Sequence, residues 1–297
     1  MVKVARYTNN PFFDEGQVII LTGASSGIGR AVCLALAKYK PKLAIIARRK
    51  KKLMQTANIL KKKKIEVLPI VGDIRNREDR EKLLDFTLKK FGRIDVLINN
   101  AGLGKSNLIL DQPEHEIDQL IETNLLSLIK MTQLVLPTMK QQKSGLIINM
   151  SSTLALLPVY PFAVYCATKS AVKVFGDSIR QELQNYGISV STVLPGPYDT
   201  EFNKVSGLDT NAIPSNQVGN LANDIADLIV KPKKNLIRPK SYSLLVWVTS
   251  KSKSFGNFIS YQIAKMIDKG RLVRITKDEG KQFPIEEEML LQPLKQR

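Results

Sequence analysis

Residues Thr22 to Gly29 read T-G-A-S-S-G-I-G, and the segments on either side of this turn decide the fold. Before it, Gln17 to Leu21 (Q-V-I-I-L) is a β-branched apolar run typical of a buried parallel strand. After it, Arg30 to Tyr39 has the spacing of a helix with one apolar face. Strand, turn and helix together predict the start of a βαβ unit.

The glycines of this turn allow two interpretations. A glycine turn lets the backbone approach a pyrophosphate, which the unpaired N–H groups and the dipole of the following helix attract. A glycine-rich turn without a ligand gives the same pattern. No Lys-Ser or Lys-Thr follows Gly29, which argues against a triphosphate-binding P-loop.

The alternation of strands and helices continues along the chain. After the second strand, Leu43 to Ala47, the predicted strands and helices follow in turn: 67–71, 78–91, 96–99, 114–139, 146–150, 163–186 and 190–194. This order predicts an α/β fold with a doubly wound parallel sheet of Rossmann type, in a single domain at 14–230. Residues 1–13 form an N-terminal segment and 231–297 a basic extension.

The end of the second strand bears on which dinucleotide would bind. A site for NAD usually has Asp or Glu here to hold the ribose 2′-hydroxyl, whereas this chain has Ala47 followed by Arg48 and Arg49. Guanidinium groups bind a phosphate bidentately, so the sequence favours NADP(H) over NAD(H). A solvated run of charge would explain Lys50 to Lys52 equally well, but not the missing acid.

Tyr165 and Lys169, in Y-C-A-T-K, add a catalytic pattern downstream of the turn. The four-residue spacing brings both side chains to one face of a helix. Tyrosine titrates near pH 10, and a neighbouring ammonium lowers that pKa, so Tyr165 could exchange a proton with an alcohol or an alkoxide. Asn124 and Ser152 lie between the turn and this pair.

These motifs resemble the classical short-chain dehydrogenase/reductase family over roughly residues 14–230. The resemblance implies a catalytic set of Asn124, Ser152, Tyr165 and Lys169. Ser152 is preferred to Ser151 because the family usually spaces its serine thirteen residues before the tyrosine. The resemblance also implies cofactor contacts from the turn, the strand ends and the P-G-x-x-x-T segment: Gly23, Ser25, Ser26, Gly27, Ile28, Gly29, Arg48, Arg49, Asp73, Ile74, Asn99, Asn100, Ala101, Gly102, Tyr165, Lys169, Pro195, Gly196 and Thr200.

Roles for the four catalytic residues follow from the same resemblance. Ser152 would orient a carbonyl oxygen, Tyr165 would protonate it, and Lys169 would also hold the nicotinamide ribose. Asn124 would hold a water that links Lys169 to solvent. The resemblance further implies a homodimer or homotetramer paired through helices 114–139 and 163–186.

Few residues suited to a metal or a disulfide occur in this chain. The two cysteines, Cys33 and Cys166, make no disulfide framework, so we expect a reducing, cytoplasmic compartment. His115 is the single histidine, and we expect no metal site. Residues 1–16 contain no long apolar run, so the sequence predicts neither a signal peptide nor an anchoring helix there.

Residues 231–281 carry much of the +18 net charge, with 13 Lys/Arg against 3 Asp/Glu. Apolar residues from Leu244 to Ile267 interleave with the lysines at near-helical spacing. Such a segment lies on an anionic membrane surface, or packs on the core or a second subunit, and the pattern allows both. No recognition motif accompanies the charge, so we expect no nucleic-acid partner.

Leu154 to Val164 carries no charge and, since it lies between Ser152 and Tyr165, should line the substrate pocket. The polar loop at about 198–217 resembles the family's mobile substrate lid. An uncharged wall favours a lipophilic carbonyl or alcohol substrate. The leading hypothesis is therefore an NADP(H)-dependent carbonyl reductase or alcohol dehydrogenase of lipid metabolism. Alternatives are a 3-oxoacyl-[acyl-carrier protein] reductase, with the basic surface meeting an acidic carrier, and a non-catalytic NADP(H) sensor.

Overall fold

The computed structural model describes residues 15–206, 216–243, 246, 256, 258–263 and 265. Its seven strands are β1 Val18–Thr22, β2 Lys42–Ala47, β3 Val67–Val71, β4 Val96–Asn99, β5 Gly145–Met150, β6 Ile188–Pro195 and β7 Asn235–Arg238. Its helices are α1 Gly27–Leu36, α2 Lys50–Lys62, α3 Arg77–Phe91, α4 Glu114–Ile121, α5 Ser127–Gln142, α6 Ala163–Leu183, α7 Glu201–Ser206 and α8 Val218–Asp227.

The strands form one parallel sheet in the order β3-β2-β1-β4-β5-β6-β7. The order reverses between β1 and β4, where Ile19 pairs with Val96 and Leu21 with Ile98. At such a reversal the connections leave in opposite directions and open a crevice beyond the carboxyl ends of the strands. The predicted doubly wound fold is confirmed, and the glycine turn lies at this crevice.

Helices cover both faces of the sheet because alternate strand residues point to opposite sides. Ile19 and Leu21 pack in the core with α1, α2 and α8. Ile20 packs in the opposite core with α3, α5 and α6. Burial on both faces explains why the strands are apolar at nearly every position.

Besides shifts of one to three residues at several element ends, three features differ from the sequence-based expectation. Helix α1 begins at Gly27 and not at Arg30, because Ser26 is the extended residue that precedes the first turn. The predicted helix 114–139 is divided by a π-helical turn at Glu122–Leu126. Strand β7 was not foreseen and lies past residue 230, where it pairs with β6 through Thr192 and Asn235.

Candidate active site

The glycine turn packs closely against the end of β4. A Cβ on Gly29 would lie 2.3 Å from both the Asn100 Nδ2 and the Gly23 carbonyl oxygen. Gly23 and Gly27 have φ values of +75° and +53°, a backbone conformation that favours glycine. The requirement for glycine at these positions therefore follows from the packing and backbone of the turn itself.

The amino end of α1 is suited to an anion. Its first turn contains no acidic residue, and Ser26 makes no side-chain capping bond among the described residues. Thr200 lies over the turn, since a Cβ on Gly27 would be 3.4 Å from the Thr200 Cβ. N–H groups at a helix start, close to the reversal of strand order, fit a pyrophosphate.

The two arginines that follow β2 have different surroundings. The Arg49 Nη2 donates to the Ser25 hydroxyl at 3.3 Å and to the Ser26 hydroxyl, so its guanidinium lies beside the glycine turn. Arg49 also pairs with Glu201. The Arg48 Nη1 lies 3.9 Å from the Asp73 carboxylate, and the Arg48 side chain is largely exposed.

Asp73, one of the expected cofactor contacts, is already engaged by an arginine. Burial acts to raise the pKa of Asp73, but hydrogen bonds from Arg75, one of them 2.7 Å long, outweigh it and the pKa falls below its ordinary value. Ile74 beside it is buried. The Asp73 carboxylate is therefore ionised, and Arg75 covers part of it.

The Asn-Asn-Ala-Gly segment divides into a structural part and a part at the crevice. The Asn99 Nδ2 donates to Thr132 and Asn149 within the core, so its side chain points away from the glycine turn. Asn100 donates to the backbone oxygens of Thr22 and Gly23 and so ties the turn to β4. A side chain on Gly102 would meet Asn124 and Lys169.

Tyr165 lies buried on α6 with 7% of its surface exposed. We expected a neighbouring ammonium to lower its pKa, but burial raises the pKa of Tyr165 well above its ordinary value. A hydrogen bond with the Ser152 hydroxyl acts in the opposite direction and favours the phenolate. The expectation of a lowered Tyr165 pKa is wrong for the ligand-free protein, because removal of the phenol from water outweighs the hydrogen bond that stabilises the phenolate.

Lys169 follows one helical turn later and is 5% exposed. Its Nζ donates to the Met150 carbonyl oxygen at 2.9 Å and lies 5.7 Å from the centre of the Tyr165 ring. Burial lowers the pKa of Lys169 to about 8. A buried ammonium with such a pKa can release a proton near neutral pH.

The adjacent serines are separated by their hydrogen bonds. The Ser151 hydroxyl donates to the Lys169 carbonyl oxygen at 2.7 Å, so it fixes the backbone of α6. The Ser152 oxygen accepts from the Leu154 N–H at 3.1 Å, and its hydroxyl bonds with Tyr165. Only Ser152 of this pair faces the tyrosine.

Asn124 lies in the π-helical turn, 1% exposed. Its side chain accepts from the Leu103 N–H and donates to the Leu103 carbonyl oxygen, both at 2.9 Å. It also donates to the Thr168 hydroxyl at 3.2 Å, one residue from Lys169. The amide therefore joins three elements, and a π-turn of this kind is frequent at functional sites.

An apolar cluster surrounds Tyr165. Phe202 of α7 lies 5.7 Å from Tyr165 and Phe162 lies 6.2 Å from it, measured between ring centres. The cluster includes the described helical residue Ile263, which belongs to the predicted basic extension. Leu154 and Val164, at the ends of the uncharged segment, also pack there.

Two residues of this region make contacts that were not predicted from the sequence. Glu201 pairs with Arg49 and Lys52, although nothing in its local sequence identifies its partners. Gly104 allows the close approach of α7, since its Cβ would lie 2.4 Å from the Phe202 Cζ. Both contacts join segments about a hundred residues or more apart, which sequence spacing does not encode.

The metal-ligating side chains of the described ranges do not cluster. No three metal-ligating side chains from His, Cys, Asp and Glu come together there, and His115 is exposed on α4. Both cysteines are buried and free.

Among the described residues, no helix is both long and apolar enough to cross a membrane. Part of the predicted extension, including Leu244, Leu245 and residues 266–297, lies outside the described residues, as do 207–215 of the lid.

Comparison with known proteins identifies the family to which this fold and site belong. The family model for short chain dehydrogenase matches residues 17–211. The human protein Dehydrogenase/reductase SDR family member 7 is 36% identical over 209 residues, which cover 67% of this chain and 61% of that protein. The chain thus spans less than two thirds of that relative's length.

Two solved structures share the fold and carry a nicotinamide cofactor. One is an alcohol dehydrogenase from the archaeon Thermococcus sibiricus with 5-hydroxy-NADP, 27% identical, covering 75% of this chain and 96% of that one at a TM-score of 0.69. The other is a 3-ketoacyl-(acyl-carrier-protein) reductase from Brucella melitensis with NADH, also 27% identical, covering 75% and 97% at a TM-score of 0.70. With a family model matched over most of its length, this chain belongs to the short-chain dehydrogenase/reductase family of oxidoreductases.

Proposed function

We propose that the protein is an NADP(H)-dependent oxidoreductase that reduces the carbonyl of a lipophilic substrate, or oxidises the corresponding secondary alcohol. The observation that carries the proposal is the buried contact of Ser152 with Tyr165, one helical turn from Lys169 and inside an apolar cluster. A hydroxyl pair beside apolar side chains is suited to one uncharged oxygen of a substrate. When bound, the cofactor supplies or accepts the hydride at the carbonyl carbon.

Proton transfer is assigned to Tyr165. The Ser152 oxygen accepts from the Leu154 N–H, which leaves its single hydroxyl hydrogen for Tyr165 in the free protein and for a substrate oxygen in the complex. The raised pKa of Tyr165 keeps the phenol protonated, as a donor to a developing alkoxide requires. In the oxidative direction the same oxygen has to lose its proton, so stabilisation of the phenolate becomes necessary.

Lys169 is assigned the resupply of that proton. Its pKa of about 8 allows the ammonium to donate and to be recharged within the physiological range. The Met150 carbonyl oxygen holds the Nζ, and the Ser151 hydroxyl holds the backbone of the same residue. Asn124 positions α6 through Thr168, and because its amide is already engaged, any water in the relay would meet its backbone or its remaining lone pair.

The glycine turn, the amino end of α1 and Arg49 are assigned to the dinucleotide. Gly102, Lys169, Pro195, Gly196 and Thr200 are assigned to the part of the cofactor nearest the catalytic tyrosine. Asn100 acts by fixing the turn, and Asn99 by its bonds within the core. The NADP(H) preference is supported by the absence of an acid at Ala47 and by the guanidinium beside Ser25 and Ser26. The two solved relatives carry an NADP derivative and NADH, so the preference has to be measured.

The lipophilic substrate is supported by the apolar side chains around Tyr165. Phe162, Phe202 and Ile263 pack with Tyr165 in one cluster, and Leu154 to Val164 carries no charge. An anionic substrate would leave its carboxylate against apolar side chains, which costs free energy. Contact through Ile263 also supports packing of this part of the extension on the core.

The first test is direct binding of NADPH and NADH, followed by a carbonyl panel. Cofactor fluorescence should give a lower Kd for NADPH than for NADH. NADPH oxidation should then be faster with medium- and long-chain neutral ketones than with 2-oxo acids of equal carbon number. Equal affinities would contradict the NADP(H) assignment, and preference for the acids would contradict the lipophilic pocket.

A 3-oxoacyl-[acyl-carrier protein] reductase is the second candidate. It is supported by the net charge of +18 and by the Brucella melitensis relative. Turnover of a 3-oxoacyl thioester that rises on attachment to an acidic carrier, and falls with salt, would favour it over the free ketone. A sensor without turnover is the third, and cofactor binding with no reaction across the panel would favour it.

Peripheral membrane contact through 231–281 and a homodimer or homotetramer remain predictions. Phe258 is 54% exposed on the same helical stretch as Ile263 and offers an apolar group to such a surface. Flotation with anionic vesicles and analytical ultracentrifugation would test the two predictions separately.

A further inference from the structure

Helix α7 begins with a carboxylate that pairs with Arg49, which is assigned to the dinucleotide, and with the neighbouring Lys52. The Glu201 Oε2 accepts from the Arg49 Nη1 at 2.7 Å, and its Oε1 accepts from the Lys52 Nζ. The other Arg49 nitrogen, Nη2, contacts Ser25 and Ser26 of the glycine turn. The three charged side chains are 41–48% exposed, so a ligand can reach them.

We propose that Glu201 is a specificity-determining residue whose carboxylate competes with the cofactor 2′-phosphate for Arg49 and Lys52. A phosphorylated cofactor displaces Glu201 and releases α7, whereas an unphosphorylated one leaves the contact in place. The inference rests on the proposed function, because it takes NADP(H) to bind beside Arg49.

The competition follows from the groups involved. A carboxylate offers two oxygens and one negative charge, whereas a phosphate monoester offers three oxygens and about 1.5 to 2 negative charges at pH 7. Arg49 can present its fork to only one of them at a time. Exposed ion pairs contribute little net stability, so the more highly charged ligand displaces the carboxylate readily. A ribose 2′-hydroxyl carries no charge with which to do so.

The carboxylate remains ionised under all working conditions. Hydrogen bonds from Lys52 and then Arg49 lower the pKa of Glu201 to about 2. Its competition with a phosphate should therefore not change between pH 5 and 9 on its own account. The ionic strength, in contrast, screens both partners and reduces the difference between them.

The next residue connects this cluster to the catalytic tyrosine. Phe202 packs on Tyr165, with 5.7 Å between ring centres, and also against Gly104. One short helix thus carries the contact with the basic pair and the aromatic cover of Tyr165 at adjacent positions. Release of Glu201 would loosen that cover only when the phosphorylated cofactor binds.

The test compares Glu201→Gln with Asp199→Asn. Asp199 lies two residues before Glu201 and is exposed outside the cluster, so its substitution removes the same charge without breaking these ion pairs. The probes are 2′,5′-ADP and 5′-AMP, titrated calorimetrically into the full-length protein. Glu201→Gln should bind 2′,5′-ADP about three- to tenfold more tightly and 5′-AMP within about twofold, while Asp199→Asn should change neither by more than about twofold. Unchanged or weaker binding of 2′,5′-ADP by Glu201→Gln would overturn the inference.

Hydrogen exchange of the amides of residues 201–206 tests the displacement itself. In the wild type, 2′,5′-ADP should speed their exchange and 5′-AMP should not; in Glu201→Gln the exchange should be fast without ligand. Protection of these amides by 2′,5′-ADP would overturn the release of α7. Equal wild-type affinity for the two probes would overturn the NADP(H) assignment together with this inference. A wild-type preference for 2′,5′-ADP without tightening in Glu201→Gln would overturn the inference alone.

Discussion

The two ends of the candidate site are held by different kinds of contact. At the catalytic end, Tyr165 and Lys169 are buried, and Asn124 and Lys169 bond to backbone atoms. At the other end, Arg49 and Lys52 are exposed and bond to the side chain of Glu201.

This difference in burial and bonding predicts how each end of the site responds to substitution. Buried hydrogen bonds to the backbone fix geometry before a ligand arrives, and losing one partner leaves a buried group unpaired. Exposed ion pairs rearrange at low cost and weaken with salt. We therefore expect large effects on chemistry and stability from the first end and small, salt-sensitive effects on affinity from the second.

The largest expected effect comes from removing the proton donor. Tyr165→Phe should lower turnover by about a hundredfold or more, because general acid–base catalysis contributes on that scale. Cofactor affinity should stay within about twofold, since the ring and its packing are kept. Turnover with a carbonyl compound that the wild type reduces, and cofactor titration, measure the two quantities.

Tyr186→Phe is the matched control, because Tyr186 is 40% exposed in the 3-10 turn that follows α6. It should keep wild-type turnover. A Tyr165→Phe variant that retained most of its activity would assign proton donation to another group and would weaken the contrast between the two ends.

Asn124→Ala should produce the next largest effect, on stability. The substitution leaves the N–H and the carbonyl of Leu103 without their side-chain partner inside the protein. The free energy of unfolding should fall by about 3 kcal/mol, the order expected for unpaired buried groups. Urea denaturation followed by circular dichroism measures it.

Asn223→Ala, at an exposed position of α8, controls for loss of an amide. It should change the free energy of unfolding by less than about 0.5 kcal/mol. A similar loss of unfolding free energy in both variants would show that the Asn124 hydrogen bonds do not stabilise the protein more than an exposed amide does.

The lowered pKa of Lys169 predicts a pH-dependent contribution to stability. The folded pKa is about 8 against an ordinary value of 10.5, so between those values the unfolded chain binds more protons at this residue. Stability should consequently rise with pH across the window, by up to about 1.4 kcal/mol per pH unit from this group. Below pH 8 both states are protonated and the contribution is constant.

Lys169→Met isolates the effect, because every other titrating group is common to both proteins. The wild type should gain stability relative to the variant between pH 8 and 10, as measured by urea denaturation of the ligand-free protein. A constant difference across that range would mean that burial does not shift the Lys169 pKa.

The same contrast explains how far the sequence predicts this molecule. The parallel sheet covered by helices follows from βα alternation, and Tyr165 and Lys169 share a helix face because their spacing is local. The division of the predicted helix 114–139 did not follow, because Asn124 takes its partners from Leu103 and Thr168 in other segments. Strand β7 is only four residues long and is bounded by lysine and proline, so its pairing with β6 has no strong local signal.

Charge and burial set a second limit on prediction. The sequence shows that Lys169 can approach Tyr165, but the sign of the tyrosine pKa shift depends on how completely the site excludes water. Similarly, the missing acid after β2 is visible in sequence, whereas the carboxylate of Glu201 comes to the same cations from a segment about 150 residues later. Competition between a local and a distant contact is decided only by the folded chain.

The smallest expected effect distinguishes the two arginines at the exposed end. The guanidinium of Arg49 contacts Ser25 and Ser26, whereas Arg48 lies 3.9 Å from Asp73 and is 62% exposed. Arg49→Ala should therefore raise the Kd for NADPH by about fivefold and Arg48→Ala by about twofold, with Kd for NADH nearly unchanged in both. Because these contacts are open to solvent, the difference should shrink in about 0.5 M salt, where the Debye length falls to roughly 4 Å. A larger loss in Arg48→Ala would place the phosphate nearer Asp73, and equal losses for NADPH and NADH would remove the phosphate from this end of the site altogether.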